Sequence, residues 1–177
     1  MREIIKDKAI VQDDWTVLRL TENETPDAVE VPAGKTIIPL KVWLLQRTAL
    51  ITRLQQQQDL AVWFSSDEAA QDLAEDVSLF SLIAVDFPKF SDGRGYSIAY
   101  NLRSRLAYSG ELRAIGDVLR DQLFFMQRVG FNAFATREDR SIQDALKGLT
   151  DFSDAYQTSW DQKNPLFRRV DRSVVSA

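Results

Sequence analysis

The order of short apolar runs and amphipathic stretches predicts an α/β fold, with successive βα units forming a parallel sheet of four to five strands. Three observations carry that prediction. Strand-like runs begin at residues 60, 82, 111 and 132, spaced by 22, 29 and 21 residues, the length of a strand, a helix and two loops. The stretches between them place apolar residues at helical spacing. The runs themselves are almost wholly apolar, as strands buried on both faces are. An open sheet and a partial (β/α) barrel both fit this count. A partial barrel leaves sheet edges bare, so a homo-oligomer is expected.

Residues 1–36 read as a small β-rich appendage, with short β-like runs at Ile10-Val11 and from Trp15 to Leu20, then a polar connection "TENETPDAVEVPAGK". Residues 37–156 form the α/β domain. It opens on "TIIPL" (36–40), followed by a helix over 40–54 with Leu40, Trp43, Leu44, Leu50 and Leu54 at helical spacing. "LAVWF" (60–64) is the next strand. Ser65 and Glu68 match a capping box for a helix that turns Ala69, Ala70, Leu73, Ala74 and Val77 inward. "LIAVDF" (82–87) leads through "PKFSDGRGYS" into a helix over about 96–108. "ELRAIGD" (111–117) precedes a helix over about 118–129 that Gly130 stops, and "NAFATR" (132–137) precedes one that begins near Ser141. Residues 157–177 form a polar tail with apolar spots at Leu166-Phe167 and Val174-Val175, a docking segment or a mobile end.

Composition narrows the chemistry. The net charge is −4 and the chain has no uninterrupted apolar run of membrane-spanning length, so neither nucleic acid nor membrane is an expected partner. The Met-Arg-Glu start lacks a signal-peptide hydrophobic region, and a cytoplasmic location is expected. There is no cysteine and no histidine, which removes thiolate nucleophiles, disulfides, Cys/His zinc sites and imidazole acid–base chemistry. Proton transfer would fall to carboxylates, Lys or Tyr, and redox work would need a bound cofactor, of which no motif gives the identity.

In a parallel α/β sheet, sites lie at the strand C-termini. There the sequence sets Asp86, Asp117 and Arg137, the catalytic candidates, with Asp86 and Asp117 as a possible metal pair. Acids also serve as turn residues and helix caps at such positions, and both readings stand. Lys89, Gly93, Arg94 and Gly95 precede a helix, where backbone N–H groups can hold an anion, and Arg113 and Arg120 add charge nearby. The two glycines are neither a dinucleotide fingerprint nor a P-loop, and turn-making accounts for them equally. Arg113 falls inside a strand and needs a partner, Asp86 or Asp121 by expectation, with Glu111 expected to face the other way. Arg103 and Arg105 are expected in solvent.

The blocks "LIAVDFPKFSDGRGYSIAYNLRSRL", "YSGELRAIGDVLRDQLFFMQRVGFNAF" and "DFSDAYQ", with "DDW" near the N-terminus, resemble a bacterial family of unknown function. The resemblance covers about residues 36–157. Members are labelled as oxidoreductases of sulfite reduction because they lie beside sulfite-reductase genes. It implies an accessory protein of assimilatory sulfite reduction, with sulfite reductase as partner. It brings no established catalytic residues. The competing expectation is an enzyme whose carboxylate–arginine site at the strand C-termini acts on a small phosphorylated or sulfated substrate.

Overall fold

The computed structural model describes residues 2–169, through which runs one sheet of eight strands. These are β1 (Arg2–Lys6), β2 (Ala9–Asp13), β3 (Thr16–Val17), β4 (Thr36–Pro39), β5 (Leu60–Phe64), β6 (Leu82–Phe87), β7 (Glu111–Gly116) and β8 (Ala133–Phe134). Their order across the sheet is β2-β1-β8-β7-β6-β5-β4-β3. The run from β3 to β8 is parallel throughout, while β1 is antiparallel to both β2 and β8. The sheet is therefore larger than four to five strands and mixed rather than purely parallel. Strands of the expected N-terminal appendage are part of it.

Chain connectivity dictates its shape. β2 and β3 stand at opposite edges, yet only Asp14 and Trp15 separate them. In a flat sheet the edges of eight strands would lie about 33 Å apart at the usual strand spacing. Three Cα–Cα steps reach about 11 Å. The sheet must curl until the end of β2 and the start of β3 are that close, although the two edge strands do not pair with each other.

Curling sorts the side chains by strand alternation. Ile5, Ile38, Val62, Phe64, Ile83, Val85, Phe87, Leu112 and Phe134 point to the face that packs against helical residues such as Trp43, Leu54, Leu102 and Met126. The residues one step along, Ile4, Ile37, Ala61, Leu82, Ala84, Ile115 and Ala135, form a second cluster with Val11, Trp15, Val17 and Trp63. No helix contributes to that cluster, so it is the inside of the curl. Three of its seven buried members are alanine, the small residue a tight interior accepts.

Arg113 lies among them, 3% exposed. Its Nη1 donates to both carboxylate oxygens of Asp13 at 2.9 and 3.0 Å, and its Nε donates to Glu111 at 2.7 Å. Lys6 Nζ reaches the other Glu111 oxygen at 2.7 Å. Glu111 therefore faces the same way as Arg113, because residues two apart on a strand share a face. Asp13, from the recruited β2, takes the place expected of Asp86 or Asp121.

The described residues form five helices: α1 (Leu40–Gln57), α2 (Arg94–Ser104), α3 (Leu123–Val129), α4 (Ile142–Lys147) and α5 (Leu166–Arg169). α1 ends where Gln58 turns left-handed and donates its N–H to Leu54 O at 3.0 Å. α3 ends at Gly130, φ 117°, and Ser141 caps α4 by accepting Asp144 N–H at 3.2 Å. The helix expected after Ser65 does not form. Glu68 does accept Ser65 N–H at 2.7 Å, but the Ser65 hydroxyl bonds Asp67 instead of a helical N–H. Two 3-10 turns, Ala70–Leu73 and Val77–Leu79, replace it and still bury Ala70, Leu73 and Val77. The Val174-Val175 spot lies outside the described residues.

Arg103 is a further departure from expectation: only 7% exposed, it reaches backbone carbonyls between α2 and α3. A second buried charge ties α1 to the 3-10 turns. Asp76 accepts from Trp43 Nε1 at 2.9 Å and from Arg47 Nε and Nη2 at 2.7 Å each.

Two stability predictions follow from these charges. Asp13→Asn leaves Arg113 short of a counter-charge and is expected to cost about 3 kcal/mol in urea unfolding. The Arg47 hydrogen bonds hold the Asp76 carboxyl below the usual carboxylate range. A folded pKa below the unfolded one contributes stability above the unfolded value and loses it as pH falls through the folded value. Asp76→Asn is therefore expected to lower Tm at pH 7 and to shrink that difference progressively in acid. A Tm gap constant from pH 7 down to pH 2 would contradict it.

Candidate functional site

The C-terminal ends of the parallel strands carry most of the polar residues singled out by sequence. Asp86, the penultimate residue of the wholly buried β6, points into the curl, 7% exposed. Its carboxylate takes both arms of the Arg19 guanidinium, Nη2 to Oδ1 at 2.6 Å and Nη1 to Oδ2 at 3.1 Å. Arg19 also lies over the Trp63 ring, 5.2 Å from its centroid, and Trp63 Nε1 donates to Leu18 O at 3.0 Å. Sequence reasoning missed Arg19. The signal was present in "WTVLRL", where Trp15, Val17 and Arg19 alternate on one face and an inward arginine demands an acid.

Asp117 and Arg137 do come together. Arg137 Nη1 donates to Asp117 Oδ1 at 3.1 Å, while Phe90 N–H donates to Asp117 Oδ2 at 2.9 Å. Arg137 is shared with Asp139, to which it donates at 2.9 and 2.8 Å, and the hydrogen bonds it donates to Asp139 first and Asp117 second raise its pKa further. Asp86 and Asp117 thus belong to two different arginines and share neither. Among the described residues, no three Asp or Glu gather into a group able to hold a metal ion.

The segment 88–96 makes a built turn. Asp92 N–H donates to Lys89 O at 2.9 Å, and Phe90 O accepts Gln122 Nε2 at 2.8 Å. At the start of α2, Asp92 accepts Arg94 N–H at 3.2 Å and the Arg94 side chain at 3.0 and 2.7 Å. The Arg94 and then the Ser66 hydrogen bonds hold its carboxyl far below the usual range. The position where a bound anion would meet the helix is therefore already filled by the chain's own acid. Gly95 is explained by packing, since a Cβ there would come within 2.7 Å of Phe87 Cζ. A Cβ on Gly93 would meet nothing within 4 Å, and Lys89 is exposed. Phe87 and Tyr96 pack edge to face, centroids 5.6 Å apart.

The remaining anion-binding candidates lie elsewhere. Arg113 is enclosed with Asp13 and Glu111, and Arg120 reaches Asp151 at 2.8 Å across the outer helices. Beside β5, burial pushes the Glu68 carboxyl up, against the opposing hydrogen bond from Ser65 N–H. One cleft of about 590 Å³ opens near this edge, with Arg2, Gln12, Arg137, Glu138 and Arg140 on its walls.

This geometry defines a class: an α/β protein with a curled sheet, whose strand-end arginines are matched by acids of its own chain. Residues 61–167 match the family model described as a bacterial protein of unknown function (DUF934), and the chain belongs to that family. Neither the curated proteins nor the solved structures compared with it give a match.

Gly116 holds this edge in shape. Its φ is +92°, and a Cβ would lie 2.4 Å from Phe87 O and 2.7 Å from Asp86 Oδ1. Gly116→Ala is expected to cost about 2 kcal/mol or more, read as a Tm drop of several degrees. An unchanged Tm would contradict the role assigned to this turn.

Proposed function

We propose that the protein works by binding, as an accessory component of assimilatory sulfite reduction with sulfite reductase as its partner. The observation that carries a binding role is an aromatic cluster on the outer surface. Phe124, Phe125 and Phe152 stack with centroids 5.0 to 6.1 Å apart, while Phe125 and Phe152 remain 51% and 55% exposed. Exposed aromatic groupings of this kind mark surfaces that another protein covers. The link to sulfite reduction rests on the family resemblance. Two features of the chain support a role other than carrying electrons on its own side chains: it lacks Cys and His, and the arginines at its strand ends are already occupied by acids. Self-association, expected from bare sheet edges, keeps that basis in the edge strands β2 and β3, which pair with no further strand among the described residues, and the aromatic cluster offers a second surface for it.

Co-purification of the tagged full chain with sulfite reductase tests this reading. Asp86→Asn and Asp117→Asn are expected to leave capture intact. The double substitution Phe125→Ser, Phe152→Ser is expected to reduce it at least tenfold. Loss of the gene without any defect in growth on sulfate or sulfite would sink the proposal.

The second reading, an enzyme acting on a small phosphorylated or sulfated substrate, is favoured by the cleft beside Arg137. Arg2 and Arg140 stand with it there, and Arg140 meets its acid, Asp139, only at 3.8 Å. On that reading, phosphate and adenylyl sulfate raise Tm and Arg140→Ala abolishes the rise. No shift with either compound would exclude it.

A further inference from the structure

The largest of the clefts described, about 700 Å³, opens at the end of the sheet opposite the strand C-termini. It lies between the β1–β2 turn, the entries to β7 and β8, and the returning segment around Trp160. Its floor is apolar, with Phe131, Phe134 and Leu149 each 3% exposed or less. Arg103 forms part of its wall.

Arg103 is handled unlike the ion-paired arginines of the strand ends and the sheet interior. Its Nε donates to Gly130 O at 2.9 Å, its Nη1 to Tyr108 O and Gly110 O at 2.7 and 2.9 Å, and its Nη2 to Asn132 Oδ1 at 3.2 Å. All four acceptors are neutral oxygens. A guanidinium has five N–H groups, so one remains on Nη2. The flat cation lies between two rings, 5.4 Å from the Tyr108 centroid and 5.2 Å from that of Trp160.

Two acids share the cleft wall without hydrogen-bonding Arg103. Asp7 accepts from the neutral Asn132 Nδ2 at 2.9 Å and favours the Arg103 cation from a distance, and Asp161 lies 3.5 Å from Arg128. Lys8 adds a second cation at the rim. Among the described residues no acid hydrogen-bonds Arg103, a costly arrangement for a buried cation, and burial lowers its pKa against the opposing charge of Asp7. An anion that enters the cleft would offset that cost while its hydrocarbon body covers the apolar floor.

We propose that this cleft binds a small organic acid, a flat apolar body carrying one anionic group, with Arg103 and Lys8 receiving the anion and Trp160 covering the ring. Arg103 also ties three backbone carbonyls together, a structural role that by itself attracts no ligand. The two roles are separable by experiment.

Calorimetric titration of the full chain with naphthalene-1-sulfonate, and with naphthalene-1-methanol as the neutral counterpart, provides the test. The sulfonate is expected to bind saturably with one site per chain, and the alcohol at least tenfold more weakly. Lys8→Ala and Trp160→Ala are each expected to weaken the sulfonate threefold or more while Tm stays within about two degrees of the parent. These two variants keep the backbone hydrogen bonds that Arg103→Met would remove. The Phe125→Ser, Phe152→Ser double variant is expected to bind the sulfonate as the parent does. Equal affinity for the two probes, undiminished binding in both cleft variants, or loss of binding in the phenylalanine double variant would each overturn the proposal.

Discussion

Two residues, Asp14 and Trp15, join strands at opposite edges of an eight-stranded sheet, and the rest of the architecture answers to that short link. An untethered sheet of this width is free to twist open. A tether of three Cα–Cα steps forces it to curl until the linked ends of its edge strands are close, and so gives it an inside. The inside is narrow, so alanines occupy β5, β6 and the end of β8 where they face it, and the outer faces of the same strands carry the larger Val, Ile and Phe residues. Helices can cover only the outer face, which places the main hydrophobic core there. Trp15, part of the tether, packs against the inner cluster and so joins the link to what it encloses.

Enclosure also decides how charge is managed. Arg113 and Asp13 are 3% and 9% exposed, inside a space too small for free hydration, so their attraction must offset two desolvations. Glu111 and Lys6 complete the set, giving two acids and two bases that reach across the inside of the curl from β1, β2 and β7. Because Asp13 comes from β2, this network forms only when the N-terminal strands have joined the sheet. It therefore favours the curled arrangement over any in which residues 1–17 sit apart. Arg19 and Asp86 repeat the logic at the other side of the link, carrying the chain beyond β3 across the mouth of the curl.

The βα units between residues 60 and 147 were legible in the sequence because each depends on local pattern: apolar strands, helical spacing, Gly130 as a stop, Ser141 as a cap. In the N-terminal segment the β-like runs at Ile10-Val11 and Trp15 to Leu20 were legible but their place in the sheet was not, because β1 pairs with β8, more than 120 residues away, and β2 joins through β1. The helix after Ser65 failed on a competition that spacing does not record, the Ser65 hydroxyl preferring Asp67. At the strand ends, the pairing of Asp117 with Arg137 followed from adjacent parallel strands, whereas Arg19 reached Asp86 from a segment read as peripheral. "VDFPKFSDGRGYS" proved to be a turn that supplies its own anion, Asp92, to its own helix. Arg103 was read as solvated because helical position alone does not show which neighbouring carbonyls lack donors.

Folds built from βα units usually divide their ends, with chemistry at the strand C-termini and stability at the opposite end. The charges in this protein run against that division. At the C-terminal end, Arg19, Arg94 and Arg137 each hold a carboxylate, so the edge is close to electrically satisfied. At the other end, Arg103 is buried among neutral oxygens beside an apolar cleft of about 700 Å³. Ion pairs fix geometry and leave little attraction for a further anion, whereas a buried cation bonded only to neutral oxygens retains more of it. Carbonyl oxygens can orient a guanidinium through their dipoles, but they do not cancel its charge. Asp7 and Asp161 share the cleft and limit that attraction, so the ligand proposed for it is one whose anion reaches Arg103 and Lys8 while its apolar body covers the floor.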